Sequence, residues 1–122
     1  MTRALTDEER TYLASQRLGR LATVDAKGAP QNNPVAFVVD DDGRIVIGGY
    51  RMPDTRKFKN VKQNANVAFV VDDLKSIDPW APRMIEIRGT AEALDDADPP
   101  MESMSRAVIR ITPTWIKSFG LD

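Results

Sequence analysis

Apolar residues fall into short runs separated by turn chemistry over most of the chain, and two stretches depart from that rule. "GRLATVDAKGAPQNNPVAFVVDDDGRIVIGG" holds apolar runs split by Asp-Ala-Lys-Gly and Asp-Asp-Asp-Gly, whose glycines supply positive φ. This predicts a meander of three antiparallel strands over residues 18–49. "NVAFVVDD" (66–73) predicts a fourth strand and "RMIEIRGTAEAL" (83–94) a fifth, with a bulge at Gly89. "RAVIRITPTWIKSF" (106–119) predicts a sixth, interrupted at Pro113. The two departures read as helices. Thr6-Asp7-Glu8-Glu9 is a capping box that opens a short helix ending near Gln16. After Pro53, the residues Phe58, Val61 and Ala65 recur at i, i+3, i+7, which predicts a second helix with one buried face, capped by Asp54 or Thr55 and ending near Asn64.

Residues 74–82 ("LKSIDPWAP") and 95–105 ("DDADPPMESMS") read as loops. Six strands in so short a chain are satisfied by closing the sheet, since an open sheet leaves two edges bare. The expected architecture is mainly β: one six-stranded barrel over residues 1–122, with an N-terminal helix and a helix between the third and fourth strands.

Composition removes more chemistry than it adds. With 42% hydrophobic and 29% charged residues the chain has the balance of a soluble globular domain, not of a disordered one. No apolar run is long enough to span a bilayer, and residues 1–20 carry charges throughout without a signal-peptide core, so no membrane association and a cytoplasmic location are expected. Cysteine and histidine are both absent. That excludes the usual zinc sites, thiol nucleophiles, disulfides and a Ser-His-Asp triad, so a bound group must carry any reaction. No metal site is expected.

Charge is concentrated in one place. Within residues 51–62, Arg51, Arg56, Lys57, Lys59 and Lys62 against Asp54 give +4, which leaves −5 for the rest of a chain whose net charge is −1. An acidic remainder is the reverse of a nucleic-acid-binding footprint. Arg56 and Lys57 fall in the first turn of the predicted second helix, where the helix dipole disfavours cations by about 0.3–1 kcal/mol each. A phosphate at that end would turn this cost into a binding site; without one, the cations belong to a solvated helix face. Gly48 and Gly49 end the third strand without side chains, which suits either a close-lying ligand or a turn. Gln31-Asn32-Asn33-Pro34 sets three amides at the head of the second strand, either a loop or a polar edge for a flat heterocycle.

Taken together, "RLGRLATVDAKGAPQNNPVAF", a strand ending in Gly-Gly, "DTRKFKNVKQNANVAFVVDD" and "MIEIRGTAEAL" resemble the pyridoxamine 5'-phosphate oxidase-like split β-barrels, a Greek-key FMN-binding barrel fold. More narrowly they resemble the actinobacterial branch that uses the deazaflavin coenzyme F420. The resemblance runs from about Leu5 to the closing "IKSFGLD". It implies that Arg56 and Lys57 grip the cofactor phosphate, with Tyr50, Arg51 and Thr55 beside them and the Gly48-Gly49 strand end close by. Asn33, Pro34 and Val35 would line the ring. The family's homodimer would bring a loop of the other subunit over the ring at the interface. Trp80 is the candidate for that loop, either as ring cover or as a dimer anchor without ligand contact.

The sequence ends before the C-terminal segment with which pyridoxamine 5'-phosphate oxidases bind their substrate, so that substrate is not expected. F420 ends in a phosphodiester and a glutamate tail whereas FMN ends in one phosphate, and the cations Arg51, Lys59 and Lys62 favour F420 over the alternative, FMN. The expectation is an F420-dependent oxidoreductase transferring hydride to an electron-poor small molecule. An FMN enzyme or a non-catalytic flavin-binding protein is the alternative. No side chain stands out as a catalytic acid; solvent or Tyr50 would deliver the proton.

Overall fold

The computed structural model describes residues 4–122. Helix α1 (Asp7–Ala14) leads into β1 (Leu18–Val24), β2 (Pro30–Val39) and β3 (Ile45–Gly48). A 3-10 turn (Met52–Asp54) then precedes α2 (Arg56–Gln63), and β4 (Asn66–Ser76), β5 (Ala81–Leu94) and β6 (Val108–Phe119) follow. The six strands close into a barrel in the order β1-β2-β3-β6-β5-β4, every pairing being antiparallel.

Alternation decides what faces inward. In β1 the positions Gly19, Leu21 and Thr23 are buried, and in β2 the register sets them opposite Val35, Asn33 and Gln31. Phe37 and Phe69 meet edge-on inside the barrel, centroids 5.1 Å apart at 74°. Isoleucines 45, 47, 85, 87, 109 and 111 fill the remainder without residual exposure. The Thr6 capping box forms as expected, with Thr6 N donating to Glu9 Oε1 at 3.0 Å and Glu9 N to Thr6 Oγ1 at 3.1 Å.

Three expectations are corrected. Residues 74–82 are not a loop: β4 and β5 pair through Leu74↔Pro82 and Ser76↔Ala81, leaving only the tip 77–80 between strands. Pro113 does not interrupt β6, because the bulge there sets Gly89 against Pro113 and Arg88 against Trp115, so that the extra residue, Thr114, lies on β6. Gly89 permits this crowding, since a Cβ at that position would lie 2.2 Å from the Thr112 carbonyl oxygen. Ala65 lies beyond α2 and is exposed, and Asn60 takes its place on the buried face, donating from Nδ2 to Thr23 Oγ1 at 3.0 Å. Of the two caps expected for α2, Thr55 is the one that forms.

One irregularity positions the site. β3 is only four residues long and pairs with β2 over residues 36–39. Residues 31–35 of β2 are therefore laddered to β1 alone, and no loop backbone reaches them among the described residues. Alternate backbone groups of that stretch face outward from the ladder, into the space between β2 and the segment that leads to α2.

Candidate functional site

Thr55 builds the start of α2. Its hydroxyl donates to the Met52 carbonyl at 2.7 Å and accepts the Phe58 amide at 3.3 Å. Lys59 N is satisfied by the Thr55 carbonyl at 3.3 Å. That leaves the amides of Arg56 and Lys57 without an acceptor among the described residues. The side chains of the same two residues lie at this end. The Lys57 ammonium is half-buried, has no carboxylate partner among the described residues, and is held below the ordinary lysine pKa by desolvation. Arg56 is exposed and lies close enough to the β1–β2 turn to help lower the Asp25 pKa, behind the larger effect of the Ala29 and Lys27 amides on that carboxylate.

The wider cation cluster is not free. Arg51 Nη2 meets Asp54 Oδ2 at 3.0 Å, and Lys62 Nζ meets Asp95 Oδ1 at 3.3 Å while lying 4.9 Å from the Phe58 ring centroid. Of the three cations expected to meet a long acidic tail, only Lys59 lacks a carboxylate partner among the described residues.

Asn33, Pro34 and Val35 lie in the open stretch of β2. Asn33 and Val35 point into the barrel end and Pro34 points outward, opposite Arg20 of β1. Next to Asn33, Gln31 carries a buried Oε1 with no hydrogen-bond partner. Outward from Pro34 runs a groove. Its polar part is lined by Gln16, Arg17, Arg20, Pro34 and Asp72, with Arg20 ion-paired to Asp72. It continues into a hollow of about 780 Å³ between α1, the outer face of β2 at Ala36 and Val38, and the segment at Pro100 and Met101. The one sequence signal for this groove was the unbroken apolar run "PVAFVV" (34–39), which marks a strand whose outer face also meets other parts of the chain.

The other expected site residues divide into two groups. Gly49 and Tyr50 lead from the end of β3 into the 3-10 turn before α2, with Tyr50 67% exposed. Gly48 is filled from within the chain, since a Cβ there would lie 2.4 Å from Pro100 Cδ and 2.7 Å from Met104 Sδ. Trp80, 68% exposed, sits at the tip beyond the far end of β4, whereas α2 adjoins its beginning. At about 3.3 Å per residue the eleven residues of β4 keep Trp80 well away from Lys57 of the same chain. It lines instead a second hollow, of about 570 Å³, with Arg20, Val70, Leu74, Arg83 and Met84.

A family model described as pyridoxamine 5'-phosphate oxidase matches residues 5–120. The chain is 44% identical over 119 residues to a 5a,11a-dehydrotetracycline/5a,11a-dehydrooxytetracycline reductase of Streptomyces rimosus, covering 96% of this chain and 84% of that protein. Among solved structures, a conserved hypothetical protein of Mycobacterium tuberculosis superposes with a TM-score of 0.75 at 21% identity, over 99% of this chain and 90% of the other. An F420 reductase gives 0.70 at 24% identity, over 93% and 98%. A FAD-binding protein of Mycobacterium smegmatis gives 0.68 at 23%, over 94% of each. These three likenesses establish the barrel alone. No helix among the described residues is long and apolar enough to cross a membrane. The family match over nearly the whole chain and the reductase relative lead to one conclusion: the chain belongs to the pyridoxamine 5'-phosphate oxidase family and is an oxidoreductase.

Proposed function

We propose that this chain is a homodimeric reductase that binds coenzyme F420 and delivers hydride to a conjugated double bond of a flat, polycyclic small molecule. The observation that carries the reading is Lys57: a half-buried cation without an anion, beside Arg56 and two free amides at a helix start. A phosphate fits these donors. A heterocycle with alternating donors and acceptors along one edge fits residues 31–35, where Asn33 and Val35 flank Pro34. When bound, the deazaflavin supplies the hydride, and the protein contributes orientation and exclusion of water.

The groove beyond Pro34 is the place for the substrate, its apolar walls at Ala36, Val38 and Met101 suiting fused rings and Arg17 suiting a polar substituent. The reductase relative, whose substrates are dehydrogenated tetracyclines, supports that class. Because Trp80 and Lys57 of one chain lie apart, a second copy is needed to bring the Trp80 tip over the ring.

FMN is the second reading, favoured by the pairing of Arg51 with Asp54 and of Lys62 with Asp95, which leaves little free charge for a tail. Titrating the purified protein with each cofactor, then following oxidation of the reduced cofactor with a dehydrotetracycline, separates the two. Tighter binding of F420 and turnover with it are expected; turnover with FMN alone would overturn the F420 reading.

A further inference from the structure

We propose that Ser105 is a positioning residue of the cofactor-phosphate site, fixing the start of α2 from the segment between β5 and β6. The proposal rests on the reading above, that an anion is gripped at Arg56 and Lys57. The Ser105 hydroxyl donates to the Gly49 carbonyl at 2.9 Å and accepts the Met52 amide at 3.4 Å. The Ser105 amide donates to the same carbonyl at 3.0 Å. The Met52 carbonyl in turn receives the Thr55 amide at 3.0 Å and the Thr55 hydroxyl at 2.7 Å, and that hydroxyl accepts the Phe58 amide. Hydrogen bonds thus run without a gap from Ser105 into the first turn of α2, around a Met52 side chain that is completely buried.

Such outside support matters because β3 stops at Gly48, so residues 49–55 have no strand ladder to order them. The exposed Arg51–Asp54 pair contributes little order. A loop that must be ordered at the moment of binding loses affinity to that ordering, and a loop held in place beforehand does not. The segment that carries Ser105 is itself braced. Arg106 binds Asp96 and Asp98 at 2.5 and 3.0 Å, the Ala97 amide donates to the Arg106 carbonyl at 2.7 Å, and Pro100 and Met104 pack over Gly48.

The test uses the full chain, with FMN and F420 as probes. Dissociation constants are measured by titration for the wild type, Ser105→Ala, Ser105→Thr, Gly48→Ala and Lys57→Ala, together with amide exchange of the cofactor-free proteins. Ser105→Ala should weaken both cofactors by about tenfold, the scale of one lost hydrogen bond in a preorganised loop, and Ser105→Thr should stay within about threefold of wild type. Exchange of amides 50–58 should rise in Ser105→Ala while that of β5 stays unchanged. Gly48→Ala, which forces Pro100 and Met104 outward, should weaken binding in the same way, and it carries the test alone if Ser105→Ala does not fold. Loss of affinity in Lys57→Ala with wild-type affinity in Ser105→Ala, or in Gly48→Ala where it stands alone, would overturn the role of Ser105. Wild-type affinity in Lys57→Ala would remove the phosphate reading and the proposal with it.

Discussion

Lys57 is the residue on which the proposed cofactor site turns, and two measurements address it directly. Lys57→Ala should cost about 1.5–3 kcal/mol of cofactor binding, the range of a charge-assisted hydrogen bond, while Lys27→Ala on the exposed β1–β2 turn changes nothing. The pH dependence has a fixed sign. Because the fold holds the Lys57 proton less tightly than the unfolded chain does, the cofactor-free protein gains stability as pH rises through the lowered pKa towards the ordinary lysine value. A bound anion favours the charged form, so cofactor affinity falls over that same rise. Titrations across that range should show both trends in the wild type and neither in Lys57→Met. The placement of Arg56 and Lys57 was legible in the sequence because a helix cap is local chemistry. The neutralisation of Lys62 was not, since Asp95 lies 33 positions away and only the folded barrel brings them together.

At the scale of elements, period and turn residues placed all six strands and both helices, and the errors in the strands lie where one passes through residues that ordinarily end it. Pro82 and Pro113 both sit within ladders, one beside the bulge near Ser76 and the other opposite a glycine. Gly89→Ala should therefore be damaging, by at least about 1–3 kcal/mol, because the new methyl would press on the Thr112 backbone and not on a movable side chain. Thermal or urea unfolding would register it, and an unchanged midpoint would refute the crowding. The contact of α2 with β1 is equally specific. Thr23→Val keeps the shape but leaves the Asn60 amide without its buried acceptor, for an expected loss of about 1–3 kcal/mol. Periodicity missed Asn60 since a polar residue on a buried helix face is recognisable only once its partner is known.

For the molecule as a whole, six of the nine exposed large apolar side chains among the described residues gather in two places. Leu74, Ile77 and Trp80 crowd one hairpin tip, and Leu18, Val38 and Met101 line the groove on the outer face of the barrel. In the proposed homodimer the second copy would cover the hairpin tip, and light scattering at micromolar concentration should give a dimer; a monomer would count against the assembly. Within a dimer, Trp80→Ala should weaken cofactor binding although Trp80 is remote from Lys57 in its own chain. The barrel itself was legible from strand count and length. The groove was not, because its walls come from α1, β2 and the segment at Pro100 and Met101, which are distant in the chain and meet only in the folded barrel.

The shortness of β3 also bears on how the protein survives in a cell. Backbone donors and acceptors left unspent along residues 31–35 are a template on which a strand from a neighbouring molecule can add, the first step of aggregation. Pro34, lacking an N–H, spoils part of that template. A cofactor lying along the rest would shield it, and by mass action would also withdraw molecules from the unfolded pool. Coenzyme supply would then govern not only how fast this oxidoreductase turns over but how much of it persists.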